Sequence, residues 1–163
     1  MKTGNELVLH FLKDMYYAEK AVLKLFPELV AAAQNDSLKK VFEAHIETTK
    51  TQLKRLESVF KSLGRPVEAV TCEAIVGLIQ ETDDVIKSTA GPGAIRDAAL
   101  IACVKAIEHY EIARYSTLAM WLQFMGQTEA ADLLRQSMKE DGDIDNQLSD
   151  LISKQMSHFT GKV

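Results

Sequence analysis

The longest helical pattern in the chain lies between residues 101 and 122, which read IACVKAIEHYEIARYSTLAMWL. Its apolar side chains recur at alternating spacings of three and four, the pattern of a helix that faces the core of a bundle. Glu108 and Glu111 lie in the middle of that apolar face, one helical turn apart. This stretch therefore predicts a core-facing helix with a polar site inside the core.

The same periodicity continues on both sides of this stretch and is interrupted by strong stop signals. Thr3-x-x-Glu6 is a capping box that starts the first helix, and Gly64-Arg65-Pro66 ends the second. Ala90-Gly91-Pro92-Gly93 and Gly126-Gln127 mark two further turns. The predicted helices cover about residues 5–34, 37–63, 72–89, 94–125 and 128–157.

Four of the predicted helices are long, and the third is short. Two long helical hairpins, joined by a connection that carries a short helix, are typical of a four-helix bundle with one crossover. We therefore predict an all-α protein in which residues 1–163 form a single domain.

The composition argues against several classes of protein. With 19 Lys and Arg against 23 Asp and Glu, the formal net charge is −4, which argues against a nucleic-acid partner. No apolar run is long enough to cross a membrane, and the N-terminus lacks the apolar core of a signal peptide. Cys72 and Cys103 form no CxxC motif, so we expect free thiols in a cytoplasmic protein.

On each long helix, the residues at alternating spacings of three and four form a mostly apolar stripe that faces the core. Carboxylates interrupt this stripe on three of the four long helices. The first helix contributes Glu19, the fourth Glu108 and Glu111, and the fifth Asp141. Carboxylates buried at one level repel one another and are costly to bury as ions. Because Lys and Arg are nearly absent from these stripes, a metal ion is the natural counter-ion. Oxygen ligands with one imidazole favour iron, manganese or zinc, as one or two ions.

The number of residues between a side chain and the turn of its hairpin indicates its height along the bundle axis. Glu111 is level with Asp141, and Glu19 is level with Gln52 on the second helix. His45, also on the second helix, lies one to two turns away, roughly 7–10 Å along the axis. His45 is therefore the fifth and least secure candidate ligand.

Two further carboxylates and two tyrosines lie close to these candidate ligands. Glu140 and Glu47 are adjacent to stripe positions and are second-tier candidate ligands. Tyr16 and Tyr115 lie next to the carboxylates, where a phenol can donate a hydrogen bond to a carboxylate.

Two other interpretations compete with the di-iron-type metal centre. In the first, bound protons and water molecules compensate the carboxylates without a metal, and the protein is a structural or interaction bundle. In the second, the protein is a mini-ferritin that stores iron in a cage. The chain has no GxSxG, GxGxxG, Walker A or HExxH motif, so no motif assigns a reaction, and enzymatic activity stays open.

Several stretches of the chain resemble one known family. They are Tyr17-Ala18-Glu19-Lys20, Phe42-x-x-His45-Ile46-Glu47, Gly77-Leu78-Ile79-x-Glu81 and Glu108-His109-Tyr110-Glu111-Ile112-Ala113. From about residue 7 to residue 151, the chain resembles the ferritin-like YciF/YciE family of stress-associated bacterial proteins. The resemblance implies a ferritin-like bundle around a di-metal centre, in a family associated with stress responses. We predict that this di-iron-type carboxylate centre binds iron or manganese and reacts with dioxygen or peroxide. Glu19, Glu108 and Glu111 match the family pattern directly.

The chain departs from that pattern at several positions. Asp141 stands where relatives usually carry Glu, and Thr48 stands where some relatives carry Glu. Thr49-x-x-Gln52 and Asp141-x-x-Ile144 occupy the places of the Glu-x-x-His pairs of rubrerythrins and ferritins. A centre with fewer ligands binds metal more weakly and holds one ion more readily than two.

A homodimer is the predicted assembly. The short third helix is too short to cover a whole long helix, so apolar residues remain outside the core stripes. Burying such a strip by two-fold pairing is common. The residues in this predicted strip are Ile46, Leu53, Phe60, Ile75, Ile79 and Ile86.

Overall fold

The computed structural model describes residues 1–89 and 93–155, without the side chains of residues 154 and 155. The helices of this part of the chain are α1 (Gly4–Ala32), α2 (Asp36–Ser62), α3 (Glu73–Ser88), α4 (Gly93–Phe124) and α5 (Thr128–Gln155). The all-α prediction is confirmed, with helix ends within two residues of the predicted ones. The predicted stop at residues 90–92 and the predicted helix end at residue 157 lie outside the described residues.

The helix ends form at the residues whose chemistry predicted them. Thr3 Oγ1 accepts a hydrogen bond from Glu6 N (3.2 Å) at the start of α1. Asn35 Oδ1 accepts from Ser37 N (2.8 Å) and Leu38 N (3.2 Å) at the start of α2. Each side chain satisfies N–H groups that have no partner inside the helix. Gly126, between α4 and α5, has φ of 75°, a conformation that glycine adopts without strain.

The two hairpins pair into a four-helix bundle. α1 packs against α2 and α4, and α5 packs against α4 and α2, while α3 packs on the outside against α4 and α1. Asp97 on α4 accepts hydrogen bonds from Gln34 N (2.7 Å) and Asn35 N (2.8 Å) in the α1–α2 turn. This contact places the start of α4 beside the start of α2, so that α4 runs parallel to α2 and antiparallel to α1. The predicted bundle with a short helix in its crossover is confirmed.

Apolar side chains fill the bundle on both sides of a polar centre. Towards the α1–α2 turn, the rings of Phe26 and Phe42 pack edge to face with centroids 5.7 Å apart. Towards the other end, Leu12, Val59 and Leu122 are fully or almost fully buried. No described helix is long and apolar enough to span a membrane.

Two residues of the predicted outward strip belong to the core instead. Phe60 and Ile75 are both 0% exposed. Phe60 lies in α2 and packs edge to face on Tyr16 of α1 with ring centroids 5.9 Å apart. α3 lies against α1 and α4, so its apolar residues cover those helices and do not extend a strip on α2.

Candidate metal centre

A layer of buried polar side chains crosses the middle of the bundle. We call it the polar layer, and its members are buried to at least 96% although all are ionisable or polar. It draws on all four long helices. Its residues are Glu19 on α1, His45, Thr49 and Gln52 on α2, Glu108, Glu111 and Tyr115 on α4, and Asp141 on α5.

Helical spacing explains why these side chains meet. Glu108 and Glu111 are one turn apart, so both carboxylates leave the same face of α4. Glu111 and Tyr115 are also one turn apart, which extends the polar face towards the end of α4. On α2, His45, Thr49 and Gln52 follow the same three-and-four spacing and are all buried.

His45 lies closer to the carboxylates than counting along its own hairpin suggested. Its Nε2 atom is 3.3 Å from Glu108 Oε1, and one ligand atom each of His45, Glu108 and Glu111 lie within 4.8 Å of one another. Counting from the α1–α2 turn relates His45 only to residues of its own hairpin, such as Glu19 and Gln52. Its neighbour in the structure is Glu108, which belongs to the other hairpin. His45 follows Asp36 by nine residues and Glu108 follows Asp97 by eleven, so the parallel α2 and α4 bring them level.

Two carboxylates of the polar layer are oriented by neutral donors. The Tyr115 hydroxyl donates a short hydrogen bond to Glu19 Oε1. Gln52 Nε2 donates to Asp141 Oδ1 (2.5 Å). The sequence predicted a phenol beside the carboxylates, but it did not assign a role to Gln52. Gln52 occupies a stripe position level with Glu19, and this position was the signal in the sequence that could have indicated its contact with the buried carboxylates.

The other ligand atoms of the polar layer have no hydrogen-bond partner among the described residues. Buried polar atoms in native proteins are almost always paired, so such a concentration requires an explanation. A bound cation or ordered water is the usual explanation. These atoms are Glu19 Oε2, His45 Nε2, Thr49 Oγ1, Gln52 Oε1, both carboxylate oxygens of Glu108 and of Glu111, and Asp141 Oδ2.

Burial and mutual repulsion shift the protonation of the layer. Burial raises the pKa of Glu19, Glu108 and Glu111 well above the usual value, and the neighbouring carboxylates raise it further. Burial also raises the pKa of Asp141 to about 8, against the opposing hydrogen bond from Gln52. Burial lowers the pKa of His45 to about 4, so its imidazole is neutral at pH 7 and its nitrogen can bind a metal.

These donors fit a divalent transition-metal ion. Four carboxylates and one neutral imidazole are the ligand types that iron, manganese and zinc accept, and a cation would offset the repulsion among the carboxylates. His45, Glu108 and Glu111 form the compact set. Glu19 and Asp141 lie outside that set, although each keeps one carboxylate oxygen free.

The remaining candidate residues lie outside the polar layer. Glu140 is half-buried and forms a two-pronged ion pair with Arg55, at 2.6 and 2.7 Å. Glu47 is exposed and pairs with Lys50 (2.6 Å). Tyr16 donates to Glu57 (3.0 Å) and does not reach the carboxylates of the layer.

Comparisons with known proteins give one consistent result. The family model of DUF892, a domain of unknown function, matches residues 3–160. Protein YciF of Escherichia coli (strain K12) is 40% identical over 152 residues, which cover 93% of this chain and 91% of YciF.

Solved structures agree with the sequence match. The crystal structure of the E. coli stress protein YciF superimposes with a TM-score of 0.92 at 37% identity, covering 96% of this chain and 99% of that one. YcfI of Rhodopseudomonas palustris, described as a candidate structural protein, gives 0.88 at 37% identity, covering 91% and 94%. A Xanthomonas campestris protein at 17% identity shares the fold, with a TM-score of 0.76 over 96% of each chain.

Proposed function

The chain belongs to the DUF892 family, and we propose that it is a ferritin-like, metal-binding protein of the bacterial stress response. The metal is iron, with manganese or zinc as alternatives, held as one or two ions in the polar layer. The link to stress rests on YciF, which is described as a stress protein. We expect the protein in the cytoplasm, because Cys72 and Cys103 are buried free thiols.

One observation carries the proposal. Nine buried side-chain atoms without a partner among the described residues all belong to the polar layer, and seven of them are carboxylate oxygens or an imidazole nitrogen. An unpaired buried polar atom costs about 1–3 kcal/mol. A cation bound to these atoms would remove that cost and the repulsion together.

The residues divide into ligands and residues that orient them. His45, Glu108 and Glu111 would hold the first ion, and Glu19 and Asp141 would complete the site or hold a second ion. Tyr115 and Gln52 each fix one oxygen of a carboxylate and leave the other oxygen free. The apolar layers on either side exclude water. Bound iron would supply electrons for the reduction of peroxide or dioxygen.

Metal analysis of protein purified without chelator tests the proposal. We expect about one equivalent or more of a transition metal after iron loading, and the double variant Glu108→Gln with Glu111→Gln should retain less than about 0.2 equivalents. Glu47→Gln is the matched control, since it removes an exposed carboxylate from the same protein. If the unmodified protein holds less than about 0.2 equivalents of any transition metal before and after loading, the proposal is wrong.

A structural or interaction bundle is the second candidate. The raised pKa values of the buried carboxyl groups support it, because protonated carboxyl groups can be buried without a metal. If this candidate holds, Glu108→Leu together with Glu111→Leu raises the thermal stability and removes no bound metal. If the metal proposal holds, the same variant loses the metal and the stabilisation that the metal gives.

A further inference from the structure

A surface groove between α2 and α5 ends at the polar layer. Its cavity holds about 190 Å³ and is lined on α2 by Ala44, His45 and Thr48 and on α5 by Glu140, Asp143 and Gln147, among others. Of these residues His45 alone also belongs to the polar layer. His45 thus belongs to both features: it lines the groove, and its Nε2 is 3.3 Å from Glu108 Oε1 in the polar layer.

The floor and the mouth of the groove differ in character. At the floor, His45 is 4% exposed, its ring packs on Phe26 with centroids 4.7 Å apart, and its Nε2 has no hydrogen-bond partner among the described residues. At the mouth, Asp143 is exposed and pairs with Lys139 (2.6 Å), whose side chain is 75% exposed. Exposed ion pairs of this kind are weak and open readily.

The neighbouring part of the α2–α5 contact is closed. Arg55 holds Glu140 through two hydrogen bonds and also donates to Ser137 Oγ (3.3 Å). Next to this ion pair, Gln52 Nε2 donates a hydrogen bond to Asp141, the residue that follows Glu140. A cation that approaches between α2 and α5 therefore meets a fixed guanidinium beside Asp141 and an open groove beside His45.

Two other cavities do not reach the polar layer. A cavity of about 470 Å³ lies between α1 and α3, and its lining carries two lysines and two acidic residues but no member of the polar layer. A cavity of about 200 Å³ near residues 5–9 and 62–65 has no member of the polar layer in its lining.

We propose that the α2–α5 groove is the route by which a divalent cation reaches the polar layer. Asp143 binds the ion first at the mouth, and His45 forms the gate and passes the ion to Glu108. This inference rests on the proposed metal-binding function. A buried metal site requires a path for its ion, and an acidic side chain at the mouth of a groove raises the local concentration of cations.

Stopped-flow mixing of chelator-stripped protein with Co²⁺ alone, followed by the visible absorption of the bound ion, tests the route. Ala44 is exposed and lines the groove, so Ala44→Trp should fill it. We expect this variant to slow both Co²⁺ uptake and chelator-driven Co²⁺ release by at least about tenfold. Ala106→Trp, at an exposed alanine of α4 outside the groove, should leave both rates unchanged.

Asp143→Asn supplies a second measurement that does not depend on steric filling. Its uptake rate should fall by about threefold at low salt and approach that of the unmodified protein at high salt. If Ala44→Trp and Asp143→Asn both take up Co²⁺ at the unmodified rate, the ion enters elsewhere and the route is wrong. If the unmodified protein binds no Co²⁺, iron, manganese or zinc, the proposed function fails, and the route fails with it.

Discussion

At the scale of single residues, the centre of the bundle combines four carboxyl groups that cannot all be charged in the absence of a cation. Glu108 and Glu111 are both 0% exposed and lie in a compact set with His45. Either protons or a cation must offset their repulsion. The two possibilities give opposite dependences of stability on pH, because protons and metal ions compete for the same oxygens.

We predict that the metal-free protein becomes less stable as the pH rises from 6.5 to 8. The folded state raises the pKa of Glu19, Glu108 and Glu111, and that of Asp141 to about 8, so it binds more protons than the unfolded state in this range. The free energy of unfolding should fall by about 1–2 kcal/mol for each carboxyl group that stays protonated.

Urea unfolding of chelator-treated protein at pH 6.5 and pH 8 measures this effect. His45 does not oppose it, because its lowered pKa makes stability depend on pH only below about 6.5, where stability is lost as the pH falls. The Glu108→Gln and Glu111→Gln double variant should show a smaller slope. A metal-free protein that gains stability from pH 6.5 to 8 would contradict the prediction.

Tyr115 is expected to support metal binding through Glu19. Tyr115→Phe removes the hydroxyl that donates to Glu19 Oε1, so the carboxylate loses its fixed orientation. The dissociation constant for the metal should rise by about tenfold or more, measured by competition with a fluorescent chelator. Tyr16→Phe is the matched control, because its hydroxyl bonds Glu57 outside the polar layer. Equal affinities of the two variants would show that Tyr115 has no such role.

At the scale of helices, Asp97 on α4 links the second hairpin to the turn of the first. Its two oxygens accept from two consecutive N–H groups, those of Gln34 and Asn35, and the side chain is 3% exposed. The two hydrogen bonds join residues that are 63 and 62 positions apart in the chain. Because Asp97 lies near the start of α4, we expect this contact to help set the height of Glu108 against His45.

Asp97→Ala should lower the free energy of unfolding by about 1.5–3 kcal/mol, because two part-buried N–H groups lose a charged acceptor. Urea unfolding measures the change. Asp150→Ala on the exposed side of α5 is the control and should change stability by less than about 0.5 kcal/mol. A loss below about 1 kcal/mol for Asp97→Ala would mean that water replaces the carboxylate and that other contacts align the hairpins.

At the scale of the whole molecule, the distribution of exposed apolar residues bears on assembly. Ile46 and Leu53 on α2, and Ile79 and Ile86 on α3, are half-buried, whereas Phe60 and Ile75 are in the core. The largest exposed apolar side chains near one end of α4 are Met120 (50%), Phe124 (85%) and Met125 (37%). This patch is a better candidate for a contact between copies than the strip that the sequence suggested.

We predict a homodimer that pairs through the patch of Met120, Phe124 and Met125. Static light scattering at micromolar concentration should give a mass about twice the 18.1 kDa of one chain. Phe124→Ser should return the mass to that of one chain, whereas Ile95→Ser, at an exposed residue near the start of α4, should not. A mass near 18.1 kDa for the unmodified protein would exclude the dimer.

The sequence was sufficient for those features that depend on near neighbours in the chain. Caps, turns and stripes involve residues at most four apart, so Thr3, Gly64 and Gly126 marked the helix ends. The spacing of Glu108 and Glu111 placed both carboxylates on the buried face of their helix for the same reason. The buried position of Glu19 and Asp141 also followed from the stripes.

The alignment of one hairpin against the other depended on the tertiary structure. Counting from a turn relates residues only within the hairpin that the turn closes, which is why His45 was compared with Glu19 and Gln52. The hydrogen bonds of Asp97 join the two hairpins and bring His45 to Glu108. The burial of Phe60 and Ile75 could not be predicted for the same reason. Both lie outside the core stripes, so their burial depends on where α1, α3 and α4 pack against one another. Contacts between residues far apart in the chain arise from packing, for which local periodicity carries no information.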